Sequence, residues 1–250
     1  MHYWVCADDT DMPGTAGTGR ILQGICTELE QKNMGICSPI SRHQLFVHRD
    51  IPYTSHNSAM CLEIDLAEEI SLPRLTEFMA RRIEGLSPDG ADPGLCIAGP
   101  LAPEARDRLI HFGTKAKQSV LSKEEALDLA QDLGIHLSEH GGTGQGVIGA
   151  LAGLGLRLSG NDGRYRGWHY PGKPGEVLGA GELCRFASVG RLVSTEGKVL
   201  APEIKVVLAS ERIKTMRRDH RQVVVVAGRE DREQTGILYR TLSRDEIRKY

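Results

Sequence analysis

The sequence predicts an α/β fold, either an open α/β sheet or a ferredoxin-like sandwich, ending in a mostly β portion. Three observations point there: strands alternating with amphipathic helices through the middle third, two glycine loops that each run into a helical pattern, and a valine-rich last third. Tyr3 to Ala7 is a short apolar run with a β-branched residue and two aromatics, which reads as a buried strand. After Gly14-Thr15-Ala16-Gly17-Thr18-Gly19, the apolar residues Ile21, Leu22, Ile25 and Leu29 recur at helical spacing. Gln44 to Arg49 is expected to be a strand, stopped at Ile51-Pro52-Tyr53 because proline has no N–H for a ladder, with a polar loop from Thr54 to Ser58. Ala59 to Leu66 is expected as a strand, Leu72 to Leu86 as an amphipathic helix, Ser87 to Gly94 as turns, and Leu95 to Ala98 as a strand. Ala102 to Lys115 and Lys123 to Leu133 follow as helices, the second opened by Ser122 and Glu125 at capping-box spacing. Val147 to Leu158 predicts a buried helix. Val189 to Ser194, Val206 to Ala209 and Val223 to Ala227 predict strands, with a hairpin turn at Thr195-Glu196-Gly197-Lys198.

Composition bounds the function. A chain of 250 residues that is 40% hydrophobic and 26% charged is long enough for a sizeable core and far from the composition of disordered proteins. The 31 basic and 33 acidic side chains leave a net charge of −2, so no global field recruits nucleic acid. The longest uncharged apolar run, Val147 to Leu156, is about half of what a bilayer-spanning helix needs, which excludes a membrane role. The start has no basic stretch before its apolar residues and turns acidic by Asp8, which points to a cytoplasmic chain. Six cysteines without a C-x-x-C pair argue against a zinc ribbon and a disulfide framework.

The chemistry concentrates after the first strand. Asp8, Asp9 and Asp11 stand where a buried strand ends, the usual ligand position in an α/β sheet. Two carboxylates about 6 Å apart repel by roughly 3 kcal/mol at an effective dielectric near 20, so three of them call for a cation or a proton. Magnesium is the natural cation, because it bridges one or two carboxylates to phosphates; the plain alternative is a turn cap with solvated carboxylates. The loop that follows could bring the backbone amides of Gly17, Thr18 and Gly19 to an anion at a helix entrance. It is not a P-loop, since Arg20 and Ile21 replace the lysine and hydroxyl residue. Thr18 is by default the helix N-cap.

Gly144-Gln145-Gly146-Val147-Ile148-Gly149 matches G-x-G-x-x-G, but no convincing acid follows about 20 residues on and the preceding strand is poor. Gly144 and Gly146 are therefore weighed equally as a phosphate-binding loop and as the start of a close-packed helix with Gly149 and Gly153 on one face. His136 and His140 read as surface residues. No Ser/His/Asp set is apparent. The run Arg212, Lys214, Arg217, Arg218, His220, Arg221 reads first as a solvated helix face and second as a phosphate-backbone contact.

In order and approximate spacing, Val5-Cys6-Ala7-Asp8-Asp9-Thr10-Asp11, the loop to Thr18, Ile51-Pro52-Tyr53, Asp92-Pro93-Gly94 and Gly146-Val147-Ile148-Gly149-Ala150-Leu151-Ala152 resemble the archaeal agmatinylcytidine synthetase of isoleucine tRNA. That resemblance implies ATP and Mg2+ as cofactors. It also implies a kinase-like nucleotide-binding domain over residues 1–56 and 140–250, with a ferredoxin-like domain over 57–139. It places Asp8, Asp9 and Asp11 at the metal or ATP site and matches Thr18 to a threonine that the family phosphorylates on itself. The family's OB-fold and zinc ribbon have no counterpart here, and Thr54 to Ser58 replaces its basic and glycine residues. The expected function is thus ATP- and Mg-dependent phosphoryl transfer or ligation, against a non-catalytic nucleotide-sensing module. A small-molecule amine or nucleotide-like acceptor is preferred over tRNA, and a homodimer is the expected assembly if the chain self-associates.

Overall fold

The computed structural model describes residues 1–51, 57–228 and 239–248. The expected stop at Pro52-Tyr53 and the loop Thr54 to His56 lie outside the described residues. Two compact units divide the chain at Ser159 and Gly160.

In the first unit β1 (His2–Asp8) is the middle of an antiparallel sheet. α1 (Thr18–Gln31), β2 (Gly35–Cys37), β3 (Ser41–Gln44), β4 (Ser58–Leu66), α2 (Leu72–Leu86), β5 (Gly94–Ala98), α3 (Pro103–Lys115), α4 (Lys123–Asp132), β6 (His136–Glu139) and α5 (Gly146–Ser159) follow. The strand order is β6-β5-β1-β4, with both β2 and β3 paired to β4. Side chains alternate across each strand, so Tyr3, Val5 and Ala7 join Leu62, Ile64, Leu95 and Ile97 under α1 and α2. Cys6, Cys61 and Cys96, in register across three strands, face α3, α4 and α5 on the other side. The domain boundaries expected at 56/57 and 139/140 do not coincide with this division. β4 pairs with β1 over six residue pairs, so segments from both sides of the first expected boundary share one sheet, and α5, beyond the second, packs on that same sheet. Strand pairing between distant segments leaves no trace in local periodicity.

The sheet and α5 are locked together at the helix's C-terminal end. Arg157, 1% exposed, donates to Glu63 Oε1 (3.0 Å), Ser41 Oγ (2.7 Å), Ser38 Oγ (3.0 Å) and the Pro39 carbonyl (3.4 Å). This network explains why β3, with the polar sequence Ser-Arg-His-Gln, is inward-facing at Ser41 and His43. The strand expected over Gln44 to Arg49 ends at Gln44 instead, because its pairing with β4 stops at Gln44 and Ser58.

The second unit comprises β7 (Arg164–Tyr165), β8 (Val177–Gly179), α6 (Ala180–Ala187), β9 (Leu192–Ser194), β10 (Lys205–Val207), β11 (Thr215–Arg218), β12 (Arg221–Gly228), β13 (Tyr239–Thr241) and α7 (Arg244–Ile247). β12 pairs with β11 and β13 antiparallel and with β9 in parallel. Val224 and Val226 pack with α6 on one face, while Val223 and Val225 pack with Met216, Leu242 and Ile247 on the other. The basic run is therefore a hairpin, not a helix face: Arg218 pairs with Arg221 across the turn. Arg217 is buried, with its guanidinium donating to the Tyr165 hydroxyl at 3.1 Å. Arg212 and Lys214 each lie 4.6 Å from the centre of the Trp168 ring. No described helix is long and apolar enough to cross a membrane.

Candidate functional site

The chain leaves β1 at Asp8 and turns sharply, with Asp9 in the left-handed region at φ 52°. Aspartate tolerates that conformation better than most residues, so the turn is built into the acidic motif itself. Asp8 is buried, and desolvation, followed by the charge of Asp9, pushes its carboxyl up to about 8. Asp9 is half-buried; desolvation and then the charges of Asp92 and Asp11 push it up to about 6. Next to them Thr10 is fully buried, and its hydroxyl has no hydrogen-bond partner. Buried and half-buried carboxyls whose charges oppose one another are the environment that a cation would relieve.

Asp11 reaches the entrance of α1, where its Oδ1 accepts a hydrogen bond from Thr18 Oγ1 at 3.0 Å. The cap expected at Thr18 falls instead on Gly17, and no side chain caps the helix, because the Thr18 hydroxyl is turned to Asp11. Gly17 has no side chain to cap the first-turn amides, and they lie beside a hydroxyl held by a carboxylate. Among the described residues no three His, Cys, Asp or Glu side chains converge tightly enough to hold a metal by themselves. Magnesium needs only one or two carboxylates when phosphates supply further oxygens, and the less buried Asp9 and Asp11 would be enough for that.

The second glycine loop comes to the same end of the sheet through Asp92. The Asp92 N–H donates to the Asp9 carbonyl (3.1 Å). Its carboxylate accepts from the Gly144 N–H (2.5 Å), the Gln145 N–H (3.1 Å) and the Thr143 hydroxyl (2.5 Å). The Gly144 amide, expected at a phosphate, is occupied by this carboxylate. Gly146 is pressed against the Asp92 carbonyl and the Gly94 nitrogen, so that a Cβ there would overlap both. Gly149 instead meets the aspartates: a Cβ there would collide with Asp8 Oδ2. Gly153 is equally tight, its Cβ position only 2.6 Å from Cys6 Sγ and from the Ala59 Cβ. The small face of α5 therefore allows the helix to lie directly on β1 and cover Asp8. Asp92 and Gly149 each stand inside a sequence motif, but nothing local marks them as site residues; what joins them to Asp9 and Asp8 is tertiary.

Solved structures share this fold. A crystal structure of apo TiaS, an agmatidine synthetase of isoleucine tRNA, is 23% identical with a TM-score of 0.53, covering 62% of this chain and 35% of that one. A tRNA fluorescent labeling enzyme is 26% identical with a TM-score of 0.53, covering 62% and 36%. TiaS in complex with isoleucine tRNA and ATP is 25% identical at the same TM-score and coverage. The chain shares its fold with these proteins over about three fifths of its own length and spans little more than a third of theirs. No family model and no curated protein matches it.

Proposed function

We propose that the chain is an ATP- and magnesium-dependent phosphoryl-transfer or ligase-type enzyme, related to the tRNA-modifying agmatidine synthetases. Its acceptor is a small-molecule amine or nucleotide-like compound, with RNA as the alternative. The observation that carries this proposal is the cluster of Asp8, Asp9 and Asp11 at the end of β1, with Asp11 hydrogen-bonded to Thr18 at the start of α1. Carboxylates that raise one another's pKa are relieved by a divalent cation, and helix-entrance amides suit phosphate oxygens. Bound magnesium would supply charge neutralisation at the phosphates. Asp9 and Asp11, less buried than Asp8, are the residues placed to hold it. Gly17 and Gly19 flank Thr18 and permit close backbone approach. Asp11 orients the Thr18 hydroxyl and is within reach of its proton, as a phosphoryl acceptor requires. Gly144 and Gly146 support the site indirectly, by seating α5.

Incubation with ATP labelled at the γ-phosphate, followed by assay of phosphate and pyrophosphate release, tests the proposal. Magnesium-dependent release, with label retained on wild type and absent from Thr18→Ala, is expected. Binding without release would make the chain a nucleotide sensor.

A further inference from the structure

β6 is an edge strand of the first unit, and its two-residue period sends His136, Ser138 and His140 to one side while Leu137 packs into the core beneath α3, α4 and α5. Ser138 Oγ lies 2.8 Å from His136 Nε2 and 2.7 Å from His140 Nε2. His140 Nδ1 lies 2.8 Å from Glu84 Oε1, near the C-terminal end of α2. The His140 side chain is 6% exposed, and its backbone N–H is fixed to the Pro93 carbonyl at 2.9 Å, so the ring is held in place. The surface position expected for His140 is thus corrected: its ring is among the better-buried polar groups of this edge.

The partners assign the protons. A carboxylate only accepts, so His140 Nδ1 carries its hydrogen and Nε2 is the acceptor. The Ser138 hydroxyl then donates to His140 Nε2, and its oxygen accepts from His136 Nε2–H. The order carboxylate, imidazole, hydroxyl is the arrangement that activates a serine. Desolvation, with His140 nearby, lowers the pKa of His136 and favours the neutral ring as that donor.

We propose that Ser138, His140 and Glu84 form a nucleophile, base and orienting carboxylate that hydrolyse carboxylic esters. Ser138 Oγ bonds to the ester carbonyl carbon as its proton passes to His140 Nε2. The bond from that carbon to the alcohol oxygen breaks, and the alcohol leaves with the proton. Water, deprotonated by the same nitrogen, then attacks the acyl-serine, which releases the carboxylic acid and restores the hydroxyl. His136 Nε2–H, hydrogen-bonded to the Ser138 oxygen, holds the hydroxyl facing His140. None of these steps uses a nucleotide, so the proposal stands apart from the chemistry at Asp8 to Thr18.

The full chain is treated with a fluorophosphonate probe and its peptides are mapped by mass spectrometry, with p-nitrophenyl acetate hydrolysis measured in parallel. A single adduct on Ser138 is expected, together with ester turnover that is lost in Ser138→Ala. Labelling of His140→Gln should slow about 100-fold. Glu84→Gln, which removes the carboxylate hydrogen-bonded to His140, should move the pH midpoint of labelling downward, a change that a purely structural contact would not produce. Absence of an adduct on Ser138, adducts scattered over exposed serines, or wild-type labelling of His140→Gln would overturn the proposal. The wild-type map decides even if a variant fails to fold.

Discussion

The two units use the same residue types to opposite ends. Residues 1–159 carry 13 Lys and Arg against 21 Asp and Glu, whereas residues 160–250 carry 18 against 12. The near-neutral whole chain therefore conceals an acidic unit and a basic one. Among the described residues, the helical glycines packed closer than 3 Å all belong to the first unit. In the first unit Gly113, Gly149, Gly153 and Gly155 lie inside helices with neighbouring atoms less than 3 Å from where a Cβ would stand; in the second, Gly167, Gly175 and Gly197 sit in open turns. One unit is built by pressing α5 onto α3 at Gly113 and Gly155 and onto Asp8 and Cys6 at Gly149 and Gly153. The other is built by side-chain packing on a valine strand. A net charge or a glycine count taken over the whole chain averages away both facts.

The contrast is tested hardest at the ion pairs. Arg157→Ala removes a fully buried guanidinium from Glu63, Ser41 and Ser38 in the first unit, and a loss of about 4 kcal/mol is expected in denaturant unfolding. Arg240→Ala removes a two-pronged contact to Glu246 that is about a third exposed, and about 1 kcal/mol is expected. Comparable losses would mean that burial does not separate the two units.

Glycine comes next. Gly149→Ala must push α5 off Asp8, with an expected cost of about 3 kcal/mol. Gly24→Ala, in α1 with no atom within 4 Å of the added Cβ, should gain about 0.5 to 1 kcal/mol. A neutral Gly149→Ala would show that α5 does not lie directly on β1.

Protons give a smaller effect of opposite sign in each unit. Asp8 and Asp9 have folded pKa values raised to about 8 and about 6, so in the absence of metal they hold protons that the unfolded chain has already released. Their contribution is present below about pH 4 and is lost as pH rises through 6 and 8. Glu246 is held down to about 2 by Arg240, and its contribution is present above about pH 4.5 and lost as pH falls toward 2. Thermal melts across pH should show Asp8→Asn flattening the neutral limb and Glu246→Gln flattening the acid limb. An unchanged neutral limb in Asp8→Asn would remove Asp8 as its source. The smallest expected effect is weak retention of tRNA by the basic unit, lost between about 50 and 200 mM salt, as a few phosphate contacts dictate. Retention insensitive to salt would contradict an electrostatic origin.

Elements with strong local signals are legible in the sequence. α2 spans Leu72–Leu86 as its periodicity predicts, and the capping box of Ser122 and Glu125 opens α4. β1, α1, β4 and β5 lie within a few residues of expectation for the same reason. α6 carries no such signal, because Ala180 and Gly181 blur its start and its apolar face is only Ala180, Leu183 and Ala187. The basic hairpin reads as helical because its charges are spaced like a helix face, while Tyr165 and Trp168, which engage them, are far away in sequence. At the candidate site the aspartates and Thr18 are visible as a motif. Asp92 is not, since its grip on Gly144 spans 52 residues, and the Glu84 to His140 contact spans 56. Contacts of that range are written in the topology rather than in the pattern.

Whether Asp8, Asp9 and Asp11 hold magnesium with ATP at the entrance of α1 is tested most directly by calorimetric titration of ATP with and without magnesium. Tight binding only in the presence of magnesium is expected for the wild type. Asp9→Asn should weaken the magnesium-dependent part most, since Asp9 lies between the other two carboxylates in the motif and can share a cation with either. Equal ATP affinity with and without magnesium, or an Asp9→Asn variant with an undiminished magnesium requirement, would contradict it.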